Sequence, residues 1–373
     1  MSGLGRTVRG LVRAPLVTLV ALVTLGIGIG ANVALFSVVY GILLKPLPFD
    51  EPERLVGIWH RAPGMANLPQ LEMGPAFYLT YRDEARTFER LGLWADRAVS
   101  LTGVGEPERI PAVMVTDGTL PTLRIRMRLG RNFTPEEDSP SGPECAILTA
   151  GYWQRKFGGD PGVVGRRLVV DGRARQVIGV LPERFEIFSP GTAILLPLRF
   201  NPAEVFVGNF SYLGIARLKP GVDLEAANRD VARMIPLVLE RFPRPPGFPQ
   251  QMLSEIRLGP NLHPLSADVV GDVGRVLWVL LGAVGLVLLI ACANVANLFL
   301  VRAEGRRQEL AIRSALGATN GRLARGCLAE SLTLGLAAGA LGTLLAWGGL
   351  QALAGLAPAG LPRLREIGLH PAV

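Results

Sequence analysis

Val276–Val301 reads VLWVLLGAVGLVLLIACANVANLFLV and contains no charged side chain. A bilayer core takes about 20 apolar residues of helix, so this stretch is long enough to cross one. Two more uncharged runs lie on either side of it. One is Leu16–Leu44; the other is Ser331–Pro362, which can span from Leu328 to Leu350 with Glu330 near its entrance. The chain has 373 residues, 49% of them apolar, and a mean hydropathy of +0.34, values raised by these clustered runs. Leu16–Leu44 exceeds the roughly 7–15 residues of a signal-peptide core and lacks a small-residue cleavage site, so it reads as a retained anchor.

Charge orders the spans across the membrane, because short loops rich in Arg and Lys stay in the cytoplasm. Arg6, Arg9 and Arg13 precede the first span. Arg302, Arg306, Arg307, Arg313, Arg322 and Arg325 lie between the second and third, against Glu304 and Glu309. Both segments are expected inside and the long segment between them outside; Arg363 and Arg365, beyond the third span, dissent. The net charge of +8 comes almost wholly from arginine, since the lysines are Lys45, Lys156 and Lys219. Much of it flanks the spans and no nucleic-acid motif accompanies it, so no nucleic-acid partner is expected. Cys145, Cys292 and Cys327 form no disulfide framework and read as small buried hydrophobes.

The segment between the first two spans reads as α+β. GPAFYLTYRDEARTFERL (74–91) predicts a helix with Pro75 in its first turn and a core stripe of Phe77, Tyr81, Ala85 and Phe88. RRLVVDGRARQVIGV (166–180) predicts a hairpin around Asp171-Gly172. SYLGIARLKPGVDLEAANRDVARMIPLVLERF (211–242) predicts a strand, a Pro220-Gly221 turn and a helix capped by Asp223. Leu224, Ala227, Val231, Ile235 and Val238 would face the core, and Pro236 would kink the helix or end it early. FPRPPGFPQ (242–250) reads as a loop between lobes.

Chemistry is sparse. No lysine follows a glycine, so no phosphate-cradling G-x-x-x-x-G-K loop exists. GIGIG at 26–30 superficially resembles a nucleotide loop but lies inside a span, where Gly26 and Gly30 permit close helix packing. Asn32, in the first span, and Asn294 and Asn297, in the second, are expected to face other helices and bond across them. His60, His263 and His370 are far apart with no metal-ligand spacing. The acids of EPERIP (106–111) and TPEEDSP (134–140) sit in Pro-rich turns and read as solvated. No catalytic, cofactor or metal site is expected on this chain.

One polar helix stands out between the second and third spans: RRQELAIRSALG (306–317). Glu309 and Arg313 are four apart in the favoured order, Glu309, Ile312 and Leu316 share a face, and Gly317 suits a left-handed helix end. Such a helix fits two roles, lying in headgroups or filling a groove on a cytoplasmic protein.

RRQELAIRSALGATNGRLARGCLAESLTLGLAAGALG (306–342) resembles the cytoplasmic loop and following helix of MacB/FtsX-type ABC transporter permeases. GIGIGANVALFSVVYGILLKPLPFDEPERLV (26–56) is similar to the start of the duplicated, acidobacterial-type MacB-like permeases. TFERLGLWADRAVSLTG (87–103), ILTAGYWQRKFGGDPGVVGRRLVVDGRARQVIGVLP (147–182) and ANVANLFLVRAEGRRQELAIR (293–313) continue the resemblance in order. It implies three transmembrane helices with an inserted α+β, MacB-like periplasmic core domain in a bacterial inner membrane. The expected order is a cytoplasmic N-terminus 1–15, spans 16–44, 276–301 and 328–350, a periplasmic domain 45–275, a cytoplasmic coupling loop 302–327 and an outer tail 351–373. A family half-unit has four spans, so ending at LPRLREIGLHPAV implies a truncated or split product. The resemblance further implies a separate cytoplasmic ATPase that binds the ATP. Glu309, Leu310, Ile312, Arg313, Leu316 and Gly317 would form its docking surface, and a homodimer or paired permease half is implied too. The function implied is export or efflux driven by mechanical transmission; an FtsX-like scaffold that activates a cell-wall hydrolase is the alternative.

Overall fold

A computed structural model of the chain describes residues 15–64, 70–183, 188–189, 191–244, 255–271, 273–305 and 320–356. The chain forms two compact units: Pro46–Val269, and a unit built from the segments on either side of it.

The second unit consists of long helices. Helix α1 (Pro15–Val39) continues as a π turn over Tyr40–Leu44, in which the Lys45 N–H reaches back to the Tyr40 carbonyl at 2.8 Å. Pro46 forces its predecessor out of the helical region, and Lys45 is extended (ψ 125°). Helices α7 (Val273–Gly305) and α8 (Asn320–Leu356) complete the unit. The stretches Pro15–Leu44, Gly274–Val301 and Leu328–Ala352 are each long and apolar enough to cross a membrane. The helices themselves overrun the expected loop 302–327 from both sides.

The other unit is built on one mixed sheet of eleven strands among the described residues. They are β1 (Leu55–Arg61), β2 (Gln70–Leu71), β3 (Phe88–Thr102), β4 (Glu108–Val115), β5 (Leu129–Gly130), β6 (Cys145–Leu148), β7 (Arg167–Val170), β8 (Arg173–Val180), β9 (Ile194–Pro197), β10 (Leu213–Leu218) and β11 (Gly259–Pro264). The order is β11-β1-β10-β3-β4-β9-β6-β8-β5, with β2 on β1 and β7 on β3 and β8. Pairs β4–β9 and β6–β8 are parallel. Strand β3 spans both lobes: its first half pairs with β10 and its second with β4 and β7. Leu91 and Leu93 at its start enter a core shared with α2 (Pro75–Glu84) and α5 (Leu224–Arg241), whereas Val99 and Leu101 enter another under α4 (Ala150–Phe157). Between α2 and α4 in the chain lies the short α3 (Thr119–Thr122).

The hairpin forms as expected, with Asp171 at φ 49° and Gly172 at φ 74°, both left-handed as a type I′ turn requires. Asp223 caps α5 by accepting from the Ala226 N–H at 2.7 Å, and Ala227, Val231, Ile235 and Val238 are buried.

One expectation fails, and one of the two outcomes expected at Pro236 does not occur. Helix α2 stops at Glu84, and Phe88 opens a strand instead of extending the helical stripe. The cause is a tertiary contact: the Asp230 carboxylate on α5 accepts the Arg86 N–H (2.8 Å), the Thr87 N–H (3.1 Å) and the Thr87 hydroxyl (3.0 Å). Pro236 neither ends nor shortens α5, which runs on to Arg241. The ring leaves the Ala232 carbonyl without its helical donor, but Ile235 and Val238 on either side are held in the core. The loop 242–250 lies mostly outside the described residues.

His60 is fully buried on β1. Its Nδ1 lies 3.4 Å from the Glu72 carbonyl, which can only accept, so Nε2 is the acceptor for the Tyr81 hydroxyl at 2.8 Å. Burial pushes the imidazole down to about 4 from 6.5, and it is neutral in the folded protein. The unfolded chain therefore takes up the proton first, and stability falls as pH drops below 6.5. The loss reaches roughly 3 kcal/mol by about pH 4. His60→Leu with Tyr81→Phe should remove this acid slope from denaturant unfolding of the detergent-solubilised chain. His60→Leu alone should also cost about 1–3 kcal/mol at neutral pH, by leaving a buried hydroxyl unpaired. Asp230→Ala should destabilise by about 2–3 kcal/mol in the same measurement, since it strips the Arg86 and Thr87 donors of their acceptor.

Candidate functional site

The residues expected to dock an ATPase, Glu309, Leu310, Ile312, Arg313, Leu316 and Gly317, lie outside the described residues. The described chain brackets them: α7 ends at Gly305 and α8 begins at Asn320.

The glycines of the first span are described. Residues four apart share a helix face, and Gly26 and Gly30 meet α8. A Cβ on Gly26 would stand 2.9 Å from Leu341 Cδ2, and one on Gly30 would stand 2.8 Å from the Gly342 carbonyl oxygen. Conversely, a Cβ on Gly342 would fall 2.8 Å from the Gly26 carbonyl oxygen. Gly28, on the opposite face, meets Leu288 and Ala291 of α7. The GIGIG run thus lets α1 approach a helix on each side. Gly342 and Gly28 were not singled out in the sequence; glycines scattered along the third span hint at the first, but only the pairing identifies it. Toward one end of this unit, Ala21, Val295 and Leu334 pack together; elsewhere Val39, Ile42 and Leu277 do.

Asn32 donates to the Gly28 carbonyl of its own helix (2.9 Å) and to the Val284 carbonyl of α7 (3.1 Å). Asn294 and Asn297 are not brought to this contact; both are exposed on α7. Cys292 is exposed beside them, contrary to the expected buried hydrophobe.

In the sheet-based unit, Cys145 is buried, and burial pushes its thiol up to about 11, far from a reactive thiolate. Of the acids of TPEEDSP, Glu136 is exposed as expected, whereas Glu137 and Asp138 are drawn inward and work as clips. Glu137, 6% exposed, takes both guanidinium nitrogens of Arg131 at 2.8 Å. Asp138 accepts the backbone N–H of Asp117 (3.0 Å) and of Arg199 (2.9 Å), and burial pushes its carboxyl up to about 6 despite those bonds. Glu108, of EPERIP, holds Lys156 (2.8 Å) and the Tyr152 hydroxyl (2.7 Å). Arg217, fully buried on β10, donates to the carbonyls of Thr122 (2.9 Å) and Glu51 (3.3 Å). Asp138, Glu108 and Arg217 join elements distant in sequence, whereas Glu137 closes a local loop. Among the described residues no His, Cys, Asp and Glu side chains gather as a metal-binding group.

Residues 18–234 match the family described as MacB-like periplasmic core domain, and residues 281–365 match FtsX-like permease C-terminal. The ABC transporter permease YknZ of Bacillus subtilis is 24% identical over 245 residues, 65% of this chain and 58% of that one. The macrolide export ATP-binding/permease protein MacB of Burkholderia pseudomallei is 24% identical over 208 residues, 55% of this chain and 30% of that one. The chain thus spans less than two thirds of either relative. Among solved structures, a domain of a permease protein from Porphyromonas gingivalis is 19% identical with TM-score 0.42, covering 58% of this chain and 92% of that one. The periplasmic region of MacB from Actinobacillus actinomycetemcomitans is 10% identical with TM-score 0.41, covering 58% and 90%. With the core-domain match covering more than half of its residues, the chain belongs to the MacB-like periplasmic core domain family of ABC transporter permeases, and carries an FtsX-like permease segment behind that domain.

Proposed function

We propose that this chain is the permease subunit of a MacB-like ABC transporter, coupling ATP hydrolysis on a separate cytoplasmic ATPase to movement of its outer domain for export. The observation that carries this reading is the order of the two matches: a MacB-like core that begins within the first span, then an FtsX-like segment covering most of the second span, the polar segment 306–317 and the third span. No nucleotide loop is present in this sequence, and the reading assigns ATP hydrolysis to a cytoplasmic ATPase partner. The segment 306–317 is its docking handle, with Glu309, Leu310, Ile312, Arg313, Leu316 and Gly317 at the contact. The arginines around 302–325 keep that handle inside and place the outer domain in the periplasm. The glycine contacts of α1 are where displacement passes between spans. The FtsX-like match favours a second reading, in which the same motion activates a cell-wall hydrolase.

Coexpression with an ATPase encoded in the same genome tests the coupling. The wild type should copurify with it and stimulate ATP hydrolysis, whereas Ile312→Asp and Leu316→Asp should lose both. Variants that bind and stimulate as wild type does would sink the docking assignment. Gly30→Ala should lower the thermal midpoint of the solubilised chain by several degrees, because its Cβ meets a backbone carbonyl. Gly282→Ala, whose Cβ meets nothing within 4 Å, should leave it unchanged.

A further inference from the structure

Strand β11 pairs antiparallel with β1, setting His263 opposite Gly57 and Asn261 opposite Trp59. Four residues after Pro264 ends the strand, the short helix α6 (Leu265–Val270) presents Asp268 back to this ladder. Its Oδ1 accepts the Trp59 indole N–H at 2.9 Å and is bonded by His263 Nε2. The indole and imidazole rings lie stacked, 6.2 Å apart and 25° from parallel. Beneath the carboxylate is Gly57: a Cβ there would fall 1.7 Å from Asp268 Oδ2, so the acid occupies space that only glycine leaves open. Four residues from two strands and a helix therefore meet at one carboxylate. Val273, where α7 and the second span begin, is five residues further along the chain.

We propose that Trp59, Asp268 and His263 form a proton-dependent clasp that fastens α6, the segment leading into the second span, onto strand β1. The hydrogen bond that His263 donates to Asp268, and the carboxylate's negative charge, raise the imidazole above its ordinary 6.5. A raised value means the charged pair is fully present below pH 6.5 and is lost as pH climbs through the folded value. The charged group on His263 is Asp268. On the same face of the ladder Arg61 stands opposite Gly259, two pairs away, and on the other face α5 offers the neutral amide of Asn228 to Leu262. Trp59 and Gly57 act by position: one donates at any pH, the other leaves room.

The clasp is independent of the coupling reading and needs no ATPase to test. Hydrogen exchange of the full chain in lipid nanodiscs, corrected for intrinsic rates, reads the protection of residues 259–271. Protection should be roughly tenfold greater at about pH 6 than at about pH 9. His263→Gln should abolish that difference. Asp268→Asn and Gly57→Ala, which respectively remove and displace the carboxylate, should lower protection at the acid pH to the alkaline level. Trp59→Phe should reduce protection at both pH values while keeping their ratio. The β3–β4 ladder (Trp94↔Val115 onward) reports intact folding in every variant. Equal wild-type protection at the two pH values, or a surviving difference in His263→Gln, would overturn the clasp.

Discussion

Hydrocarbon offers no hydrogen bonds to a backbone, so each crossing must be a helix that satisfies itself. It also offers no hydrophobic drive to bring one helix to another, and adhesion then depends on how closely their surfaces approach. In this chain that closeness comes from missing side chains. Gly26 and Gly30 let α1 reach the backbone of Gly342, and Gly28 turns the opposite face to Leu288 and Ala291. The bond from Asn32 to the Val284 carbonyl is possible only because the helices already lie that near. One five-residue run sets the packing of all three spans, and its composition follows from the solvent around it.

The sheet-based unit obeys the opposite rule. Water competes for every exposed polar group, so order comes from burial and from carboxylates that collect donors inside. Asp230 ends α2 and starts β3, Asp138 ties the loop after β5 to Asp117 and Arg199, and Glu137 holds Arg131 within that loop. Two histidines on paired strands show how local the electrostatics are. His60 faces the aromatic core with Phe77 and Tyr81 and stays neutral; His263, on the neighbouring strand, meets a carboxylate that raises its imidazole above the ordinary value.

What could be read from the sequence follows the range of the forces. The three spans, the Asp171-Gly172 hairpin and the Asp223 cap depend on residues within a few positions of one another, and patterning reveals them. The stop of α2 at Glu84 depends on Asp230, and the survival of α5 past Pro236 depends on burial supplied by other elements. No local pattern carries either. The same limit separates the glycines of α1, visible as small residues four apart, from their counterpart Gly342. His263 and Asp268 are five apart in sequence, which marks nothing until β11 lies on β1 and brings Gly57 and Trp59 to them.

The π turn at Tyr40–Leu44 holds one more residue than an α turn would before the chain leaves at Lys45. Each residue of an α-helix rotates the chain by about 100°, so a residue added in the regular part of α1 would swing Gly26 and Gly30 off their neighbour. In the widened turn an extra residue is absorbed on the spot. The extra residue of this turn falls beyond Gly26 and Gly30, where it leaves the azimuth of the glycine face untouched.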